Sequence, residues 1–452
     1  MIVLLDSYTV QSQMLLYSLR EAGYDMPAVS IVTDGFHPQE VTSPFSWFCG
    51  FENPNLRGRA RFFNRLKVPD LWEIQSTGTQ GEVVDYDELR ARIFYAEPVY
   101  RRLIRAVDWL DRQKRVRLTD HYNRFGMRFA QTVWSLDGRR QIKTYFSPNG
   151  QVVITENYIT GNILLEEEGK TRIFANLPEF VIYFLQKRAF SLDRILYNSL
   201  SYPFFVSNRL GDMGIEGEDI LFWEEEIGQN IPGNMQSILD HPERRTKKIA
   251  IQSLEAYNML LKLGVDSDKI EKLGMIITFA RENQYQKKAL ILTNSDEIEK
   301  LTILVEELSQ VQFTIAALTE MSAKLLSMDK YDNVCLLPAI TPEQGVKLMA
   351  ENDIYLDINY GNEILDALQM AFIHEQLIFA FQQTAHRRNL ILPENIYSLE
   401  NVADMIRAIQ AVLEEKKMMR YFLDLQKKHA MVETPESYRH FLGDSDDMAL
   451  EC

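Results

Sequence analysis

From residue 57 to about residue 173 the chain abandons the strand–helix alternation that flanks it on both sides, and this interruption limits the folds open to it. Before it, Ile2-Val-Leu-Leu5 is a short buried-strand run. Met14, Leu15, Leu19 and Ala22 then fall at helical spacing, with Gly23 as the stop signal, and 29–32 is the next strand. Inside the interruption, segments 91–95, 116–119, 127–134, 141–146, 151–154, 162–165 and 171–174 read as short strands. The dipeptides Asp137-Gly138 and Asn149-Gly150 are tight-turn signals between them. Such a series predicts an antiparallel meander, a sheet type that can leave one face free to dock a partner.

The alternation returns after residue 177, with a helix over 178–187, strands over 219–223 and 247–251, and helices opening at Pro232 and Leu254. A second block starts near residue 287. Strands over 289–292, 313–318, 334–337, 353–357 and 377–381 alternate with helices. Asn294-Ser295 reads as the cap of a helix to Leu308, Thr341-Pro-Glu-Gln344 as a capping box, and 363–373 as a helix. Short connections predict doubly wound parallel sheets. The expected fold is therefore α/β: two Rossmann-like domains with an antiparallel β-meander inserted in the first. The first domain takes 1–56 and 178–286, the meander 57–177 and the second domain 287–400. The helical segment 401–452 could cross back to the first.

The chain has 452 residues, enough to bury a large core without a disulfide or metal staple. Its cysteines, Cys49, Cys335 and Cys452, are odd in number and far apart, as in a reducing cytosol. No secretory signal and no span of some 20 apolar residues is legible. The net charge of −15 argues against general nucleic-acid binding. Residues 57–150 nonetheless carry 19 Lys+Arg against 11 Asp+Glu, a local +8 that leaves −23 elsewhere. This basic module is either a docking site for an anionic protein face or lipid surface, or a solvated sheet face.

No phosphate-binding G-x-x-x-x-G-K-[ST] loop, dinucleotide G-x-G-x-x-G, H-E-x-x-H metal site or G-x-S-x-G nucleophile occurs. Gly211, Gly214 and Gly217 read as a flexible turn, and His374 as a satisfied residue. Neither metal nor cofactor is expected.

Several segments carry a resemblance. Ala316-Ala-Leu-Thr-Glu-Met-Ser322, Lys324-Leu-Leu-Ser-Met328 and Asp353-Ile-Tyr-Leu-Asp-Ile-Asn359 resemble the GtfB family, as do Pro232-Gly-Asn-Met235, Tyr122-Asn-Arg124, Arg105-Ala-Val-Asp-Trp-Leu110 and Asn198-Ser-Leu200. These are the glycosyltransferase-stabilising proteins of bacterial accessory secretion systems, and the likeness runs from Ile2 to about Ala411. It implies a GT-B-like fold. It also implies pairing with a catalytic subunit that moves N-acetylglucosamine from UDP-GlcNAc onto Ser/Thr of a serine-rich repeat adhesin. The resemblance makes the chain the non-catalytic, acceptor-binding subunit. Its place would be cytoplasmic, with association at the inner face of the membrane compatible.

Related retaining transferases carry two glutamates, E-x7-E, and a cation pair for the donor diphosphate. Here the second glutamate falls on Asp366 and the first near Ile358 or Asn359. Thr293-Asn-Ser-Asp-Glu297 offers no cation, although Glu363 and Lys300 are conceivable substitutes. A departing UDP needs positive or dipolar stabilisation, which Asp296 and Glu297 would oppose. An emptied donor site can hold peptide. Thr319, Glu320, Asn359, Tyr360, Gly361 and Asn362, at strand ends, are the candidate acceptor contacts; each alone also reads as an ordinary loop cap. Trp109, Leu110, Tyr122, Phe125 and Trp134 are the candidate subunit contacts, or else the meander's own core. Two rival readings stand beside this one: an active transferase with unusual donor residues, and a peripheral membrane scaffold.

Overall fold

The computed structural model describes residues 1–443. Strands β1 (Ile2–Ser7), β2 (Ala28–Val32) and β3 (Val41–Thr42) open the chain, with helix α1 (Val10–Glu21) capped by the Thr9 side chain and α2 (Pro44–Phe48) closing the segment. The meander follows as ten consecutive antiparallel strands. These are β4 (Glu73–Ser76), β5 (Gln80–Asp85), β6 (Glu88–Tyr95), β7 (Ile104–Leu110), β8 (Val116–Tyr122), β9 (Arg128–Trp134), β10 (Arg140–Phe146), β11 (Val152–Asn157), β12 (Ile163–Glu167) and β13 (Lys170–Phe174). Each pairs only with its neighbours in sequence, as hairpin turns require. Helix α3 (Leu177–Lys187) then leads back to β14 (Ile195–Tyr197), α4 (Tyr202–Asp212), β15 (Asp219–Trp223), α5 (Gly233–Asp240), β16 (Thr246–Ile251), α6 (Leu254–Lys262) and β17 (Glu271–Lys272).

The first parallel sheet has the order β17-β16-β15-β14-β1-β2-β3. Consecutive residues of β1 and β15 are buried, so both faces are covered, which explains their continuous apolar runs. Strand β14 escaped the sequence reading, yet it lies beside β1 at the point where the winding direction reverses. One apolar core joins this sheet and its helices to one face of the meander through Tyr145, Ile154, Leu165 and Phe174.

Residues 1–272 form one compact unit and residues from Leu273 onward a second. The second begins with β18 (Met275–Ile276). Its main sheet uses β19 (Lys288–Thr293), β20 (Gln312–Ala317), β21 (Val334–Leu337), β22 (Ile354–Asp357), β23 (Leu377–Phe381) and β24 (Ile396–Tyr397), in the order β21-β20-β19-β22-β23-β24. Its helices are α7 (Leu301–Glu307), α8 (Ala323–Leu326), α9 (Pro342–Glu351), α10 (Ala367–Ile373), α11 (Val402–Glu414), α12 (Lys416–His429) and α13 (Pro435–Leu442). The Thr341–Gln344 capping box is formed. Met405, Ile409, Met419 and Leu423 of α11 and α12 enter the second unit's core, and β25 (Val432–Glu433) pairs with β18. Residues 444–452 of the expected helical segment, Cys452 among them, lie outside the described residues.

Two helix starts differ from expectation. Asn294-Ser295 caps no helix; α7 begins at Leu301 behind Lys300, whose φ is 51°. Glu363 precedes α10 instead of opening it, because Leu365 and Asp366 take φ of 54° and 49°. Both departures belong to the loops described next.

Candidate functional site

In an open parallel sheet, ligands sit at the carboxyl ends of the strands where the winding direction reverses. Each unit has one such point, between β1 and β14 and between β19 and β22.

At the second, the protein fills its own crevice. The segment 294–299 folds against 358–361. Glu299 N donates to Ile358 O at 2.8 Å, Tyr360 N to Glu297 O at 3.0 Å, and the Tyr360 hydroxyl to Glu299 Oε2 at 2.6 Å. A Cβ on Gly361 would collide with the Asn294 side chain, so glycine permits this approach. Lys300 Nζ lies 3.7 Å from Glu299 Oε1, and so faces a carboxylate of its own chain. The carboxylates left at the junction are neutralised too: Arg387 bridges Glu363 and Asp366, each at 2.7 Å, while Glu363 Oε1 accepts from Leu368 N.

Below this loop, buried Asp357 accepts from the His386 backbone N–H and lies 2.7 Å from His386 Nδ1. Nε2 of the same ring lies 2.7 Å from Gly361 O. Burial would lower the His386 pKa, but the Asp357 charge and hydrogen bond and the Gly361 carbonyl outweigh it, and the net direction is up. Burial dominates for Asp357 and raises it against the opposing His386 bonds. With a proton held between Asp357 and Nδ1, Nε2–H donates to Gly361 O and anchors the loop.

The six strand-end candidates thus divide. Asn359 is 2% exposed, and its Nδ2 reaches Gly361 O at 3.4 Å, so it braces the loop from inside. Gly361 is the loop's contact point. Tyr360, at 45% exposure, and the exposed Asn362 and Glu320 face outward. Exposed Thr319 lends its carbonyl to Ala339 N.

The first unit's reversal point, which sequence reasoning missed, keeps polar atoms unsatisfied. Asn198 Oδ1 accepts from Asp6 N at 2.9 Å, and its Nδ2 reaches Glu224 Oε1 at 3.3 Å. Asp6 Oδ1, Glu224 Oε2 and Trp223 Nε1 are buried without a hydrogen-bond partner. Buried polar atoms are rarely left so, and this cluster lies at a strand-end crevice, the usual ligand position in an open α/β sheet. Beside it a cavity of about 450 Å³ is lined by Ser199, Ser201, Trp223, Glu225 and Asn234.

Burial pushes the Glu224 carboxyl up to about 7; the Asn198 hydrogen bond opposes this and the Glu225 charge adds to it. The folded chain therefore holds this proton more tightly than the unfolded chain does. That contribution to stability is complete below about 4.5 and is lost as pH rises through about 7. Glu224→Gln is expected to leave the melting temperature near wild type at about pH 5 and to stabilise relative to wild type at about pH 8, by roughly 1–2 kcal/mol. Thermal melts at both pH values check this; a pH-independent difference would remove Glu224 as the titrating group.

The meander candidates do not form one patch. In-register partners share a face and successive residues alternate. Trp109, Leu118, Val133 and Ile142 form one row. Trp134 points to the opposite face, where its Nε1 donates to Thr119 Oγ1, whereas Trp109 donates to Asp120. Half-buried Leu110 ends β7. Tyr122 is 6% exposed, in a small core with Leu66, Ile93 and Val107, and Phe125 stacks on Phe51. The remaining open surface is the Trp109 face over β8–β13, with Leu118, Val133, Ile142, Leu164 and Ile173 among Gln131, Thr144 and Thr155.

Among the described residues no group of His, Cys, Asp or Glu side chains is placed to hold a metal ion, and no helix is long and apolar enough to cross a membrane. His374 Nδ1 is satisfied by Met370 O.

Four family models cover the chain in succession: the GtfB N-terminal domain over residues 2–48, the GtfB middle domain over 72–175, the GtfB third domain over 178–263 and the GftB/GlyA-F C-terminal domain over 289–426. The UDP-N-acetylglucosamine–peptide N-acetylglucosaminyltransferase stabilizing protein GtfB of Streptococcus agalactiae is 41% identical over 445 residues, which is 98% of this chain and 99% of that protein. A crystal structure of a GtfA/B complex bound to UDP and GlcNAc contains a chain that matches with a TM-score of 0.90 at 40% identity, covering 98% of this chain and 99% of that one. The pneumococcal O-GlcNAc transferase GtfA, solved with UDP and GlcNAc, matches in fold alone, with a TM-score of 0.54 at 10% identity over 98% of each chain. The architecture is GT-B-like, with the meander added.

Proposed function

The chain belongs to the GtfB family, and from that premise we propose that it is the non-catalytic subunit of a two-component O-GlcNAc transferase. In this reading it grips a serine-rich repeat adhesin acceptor, and it stabilises and activates a catalytic subunit that transfers GlcNAc from UDP-GlcNAc to Ser/Thr. Its location is cytoplasmic, at the inner face of the membrane when associated with it.

The observation that carries the reading is the self-filled crevice of the second unit. A donor diphosphate needs cations held free for its oxygens. Here Arg387 is spent on Glu363 and Asp366, Lys300 faces Glu299, and the 294–299 loop lies where the strand ends open. What remains outward suits polypeptide: the Tyr360 ring, the Asn362 amide and the Glu320 carboxylate can bond an extended, hydroxyl-rich chain. In the first unit, the cavity beside Asp6 and Glu224 offers Ser199, Ser201, Glu225 and Asn234 as hydrogen-bond partners for Ser/Thr hydroxyls. The open meander face, with its aliphatic row, suits the subunit contact.

The test is co-expression with the catalytic subunit and an acceptor, omitting each in turn. Glycosylated product is expected only with both subunits, and acceptor binding without UDP release from this chain alone. In the same assay Tyr360→Ala with Asn362→Ala should weaken binding of unmodified acceptor about tenfold. UDP-GlcNAc turnover by the isolated chain would overturn the non-catalytic reading, and unchanged affinity would move the acceptor contact off this loop.

A further inference from the structure

The first unit holds a second concave site that the proposed function leaves unused. A cavity of about 520 Å³, within the size range of small-molecule sites, lies between the 35–57 segment around α2 and the β8–β9 turn. Three arginines line it: Arg57, Arg124 and Arg188.

Each guanidinium is held in place without being neutralised. Arg57 Nη1 donates to the carbonyls of Pro54 and Leu56, at 2.6 and 3.2 Å. Arg124 Nη1 donates to His37 O at 3.2 Å, and its guanidinium lies 5.0 Å from the Phe125 ring centroid. The Arg188 guanidinium stacks over Trp47 at 5.6 Å. Among the described residues none of the three has a carboxylate partner. Elsewhere the arginines of this acidic chain are commonly paired, as Arg90, Arg245 and Arg387 are.

The cavity wall contains one carboxylate, Glu52. Its Oε1 is occupied by Thr42 Oγ1 at 2.5 Å and Ser43 N at 3.0 Å, which turns its charge toward the backbone at the start of α2. Asn123 is also in the wall, 3% exposed, and its Nδ2 has no hydrogen-bond partner. Three like charges around one cavity repel one another, so the arrangement is stabilised by an anion of more than one charge. Forked guanidinium donors match phosphate oxygens, and a phosphate monoester carries about −1.5 to −2 at neutral pH. The aromatic walls, Trp47 and Phe125, can cover the organic part of such a ligand.

We propose that this cavity binds a phosphate-bearing ligand, gripped by Arg57, Arg124 and Arg188. The same chemistry is offered by a free phosphorylated metabolite and by a lipid headgroup phosphate. The second source would give the basic module a specific membrane contact in place of a diffuse one.

The test uses the purified full-length chain. Pyrophosphate is titrated at constant ionic strength with thermal shift as the readout, and phosphatidylglycerol vesicles are used in a sedimentation assay. Arg57→Gln with Arg188→Gln removes two exposed cations that hold no ion pair, so the ligand-free melting temperature should stay near wild type. Arg112→Gln, in the exposed β7–β8 turn, is the control for general charge loss. A saturable rise in melting temperature, weakened about tenfold or more in the double variant and kept in the control, supports the site and a soluble ligand. Vesicle binding lost in the double variant and kept in the control supports the site and a lipid headgroup. No response to either probe, or equal responses in the double variant and wild type, overturns it. If the double variant melts early without ligand, Arg188→Gln alone is read by the same criteria.

Discussion

Val133→Glu with Ile173→Glu is expected to abolish recovery of the catalytic subunit while leaving the melting temperature of the isolated chain nearly unchanged. Both positions lie on the open face of the meander, 37% and 65% exposed, so neither substitution buries a charge within the chain. Their neighbours Leu118, Ile142 and Leu164 are half-buried and would become fully buried under a partner. Desolvating two new carboxylates against an apolar row, without counter-ions, should weaken binding at least about 100-fold, or roughly 2.7 kcal/mol. Co-purification of a tagged partner measures this. A complex retained at wild-type yield would place the contact elsewhere.

Deletion of residues 57–173 is the blunter experiment. Tyr145, Ile154 and Leu165 form part of the first unit's core, so the deletion opens that core as well as removing the face. Loss of partner binding after deletion would therefore mix unfolding with loss of contact, and the surface variant separates them.

The elements legible in the sequence were those whose cause is local. Asp137-Gly138 and Asn149-Gly150 turn where expected because a short loop ending on a left-handed glycine suffices to reverse a strand: Ser135 N donates to Arg139 O and Ser147 N to Gln151 O across the two turns. Thr341 caps α9 because its partner Gln344 is three residues away. The failures have distant causes. Strand β14 is three residues long and gives no periodicity to read. It exists because Ile195 and Leu196 pair with Ile2 and Val3 at the far end of the chain. Asn294-Ser295 has good capping chemistry, but Glu297 and Glu299 bond to 358–360, and that long-range contact delays the helix to Leu301.

The candidate site follows the same division. Strand ends near Thr319 and Asn359 could be placed from the alternation alone. Which side chains face out could not, since Asn359 turns inward for a contact with its own loop. The Asp6–Asn198–Glu224 cluster was invisible because it assembles three separate strand ends, one of them the unread β14.

Arg245→Met is expected to cost about 3–5 kcal/mol, lowering the melting transition of the first unit by on the order of 10 °C. Arg245 and Asp219 are 4% and 0% exposed and meet in a two-pronged pair, Nη2 to Oδ1 at 2.8 Å and Nε to Oδ2 at 2.9 Å. Every other demand is also met: Asp219 accepts from Ile195 N and Ser207 Oγ, and Arg245 donates to the carbonyls of Leu192, Ile215 and Glu216. Gly217, which the sequence suggested was part of a flexible turn, packs so closely on the guanidinium that a Cβ would collide with it. Methionine can fill much of the volume, but it strands a buried carboxylate and three carbonyls. Asp219→Asn in the same chain removes the stranded charge, so the double variant should recover part of the loss. Denaturant or calorimetric unfolding of wild type and both variants measures it; a loss below about 1 kcal/mol for Arg245→Met would show the clamp to be dispensable. Through Ile195 N the clamp fixes β14, and β14 delivers Asn198 to the crevice beside Asp6 and Glu224. Loosening it is therefore expected to loosen the polar cluster at the other end of the same strand.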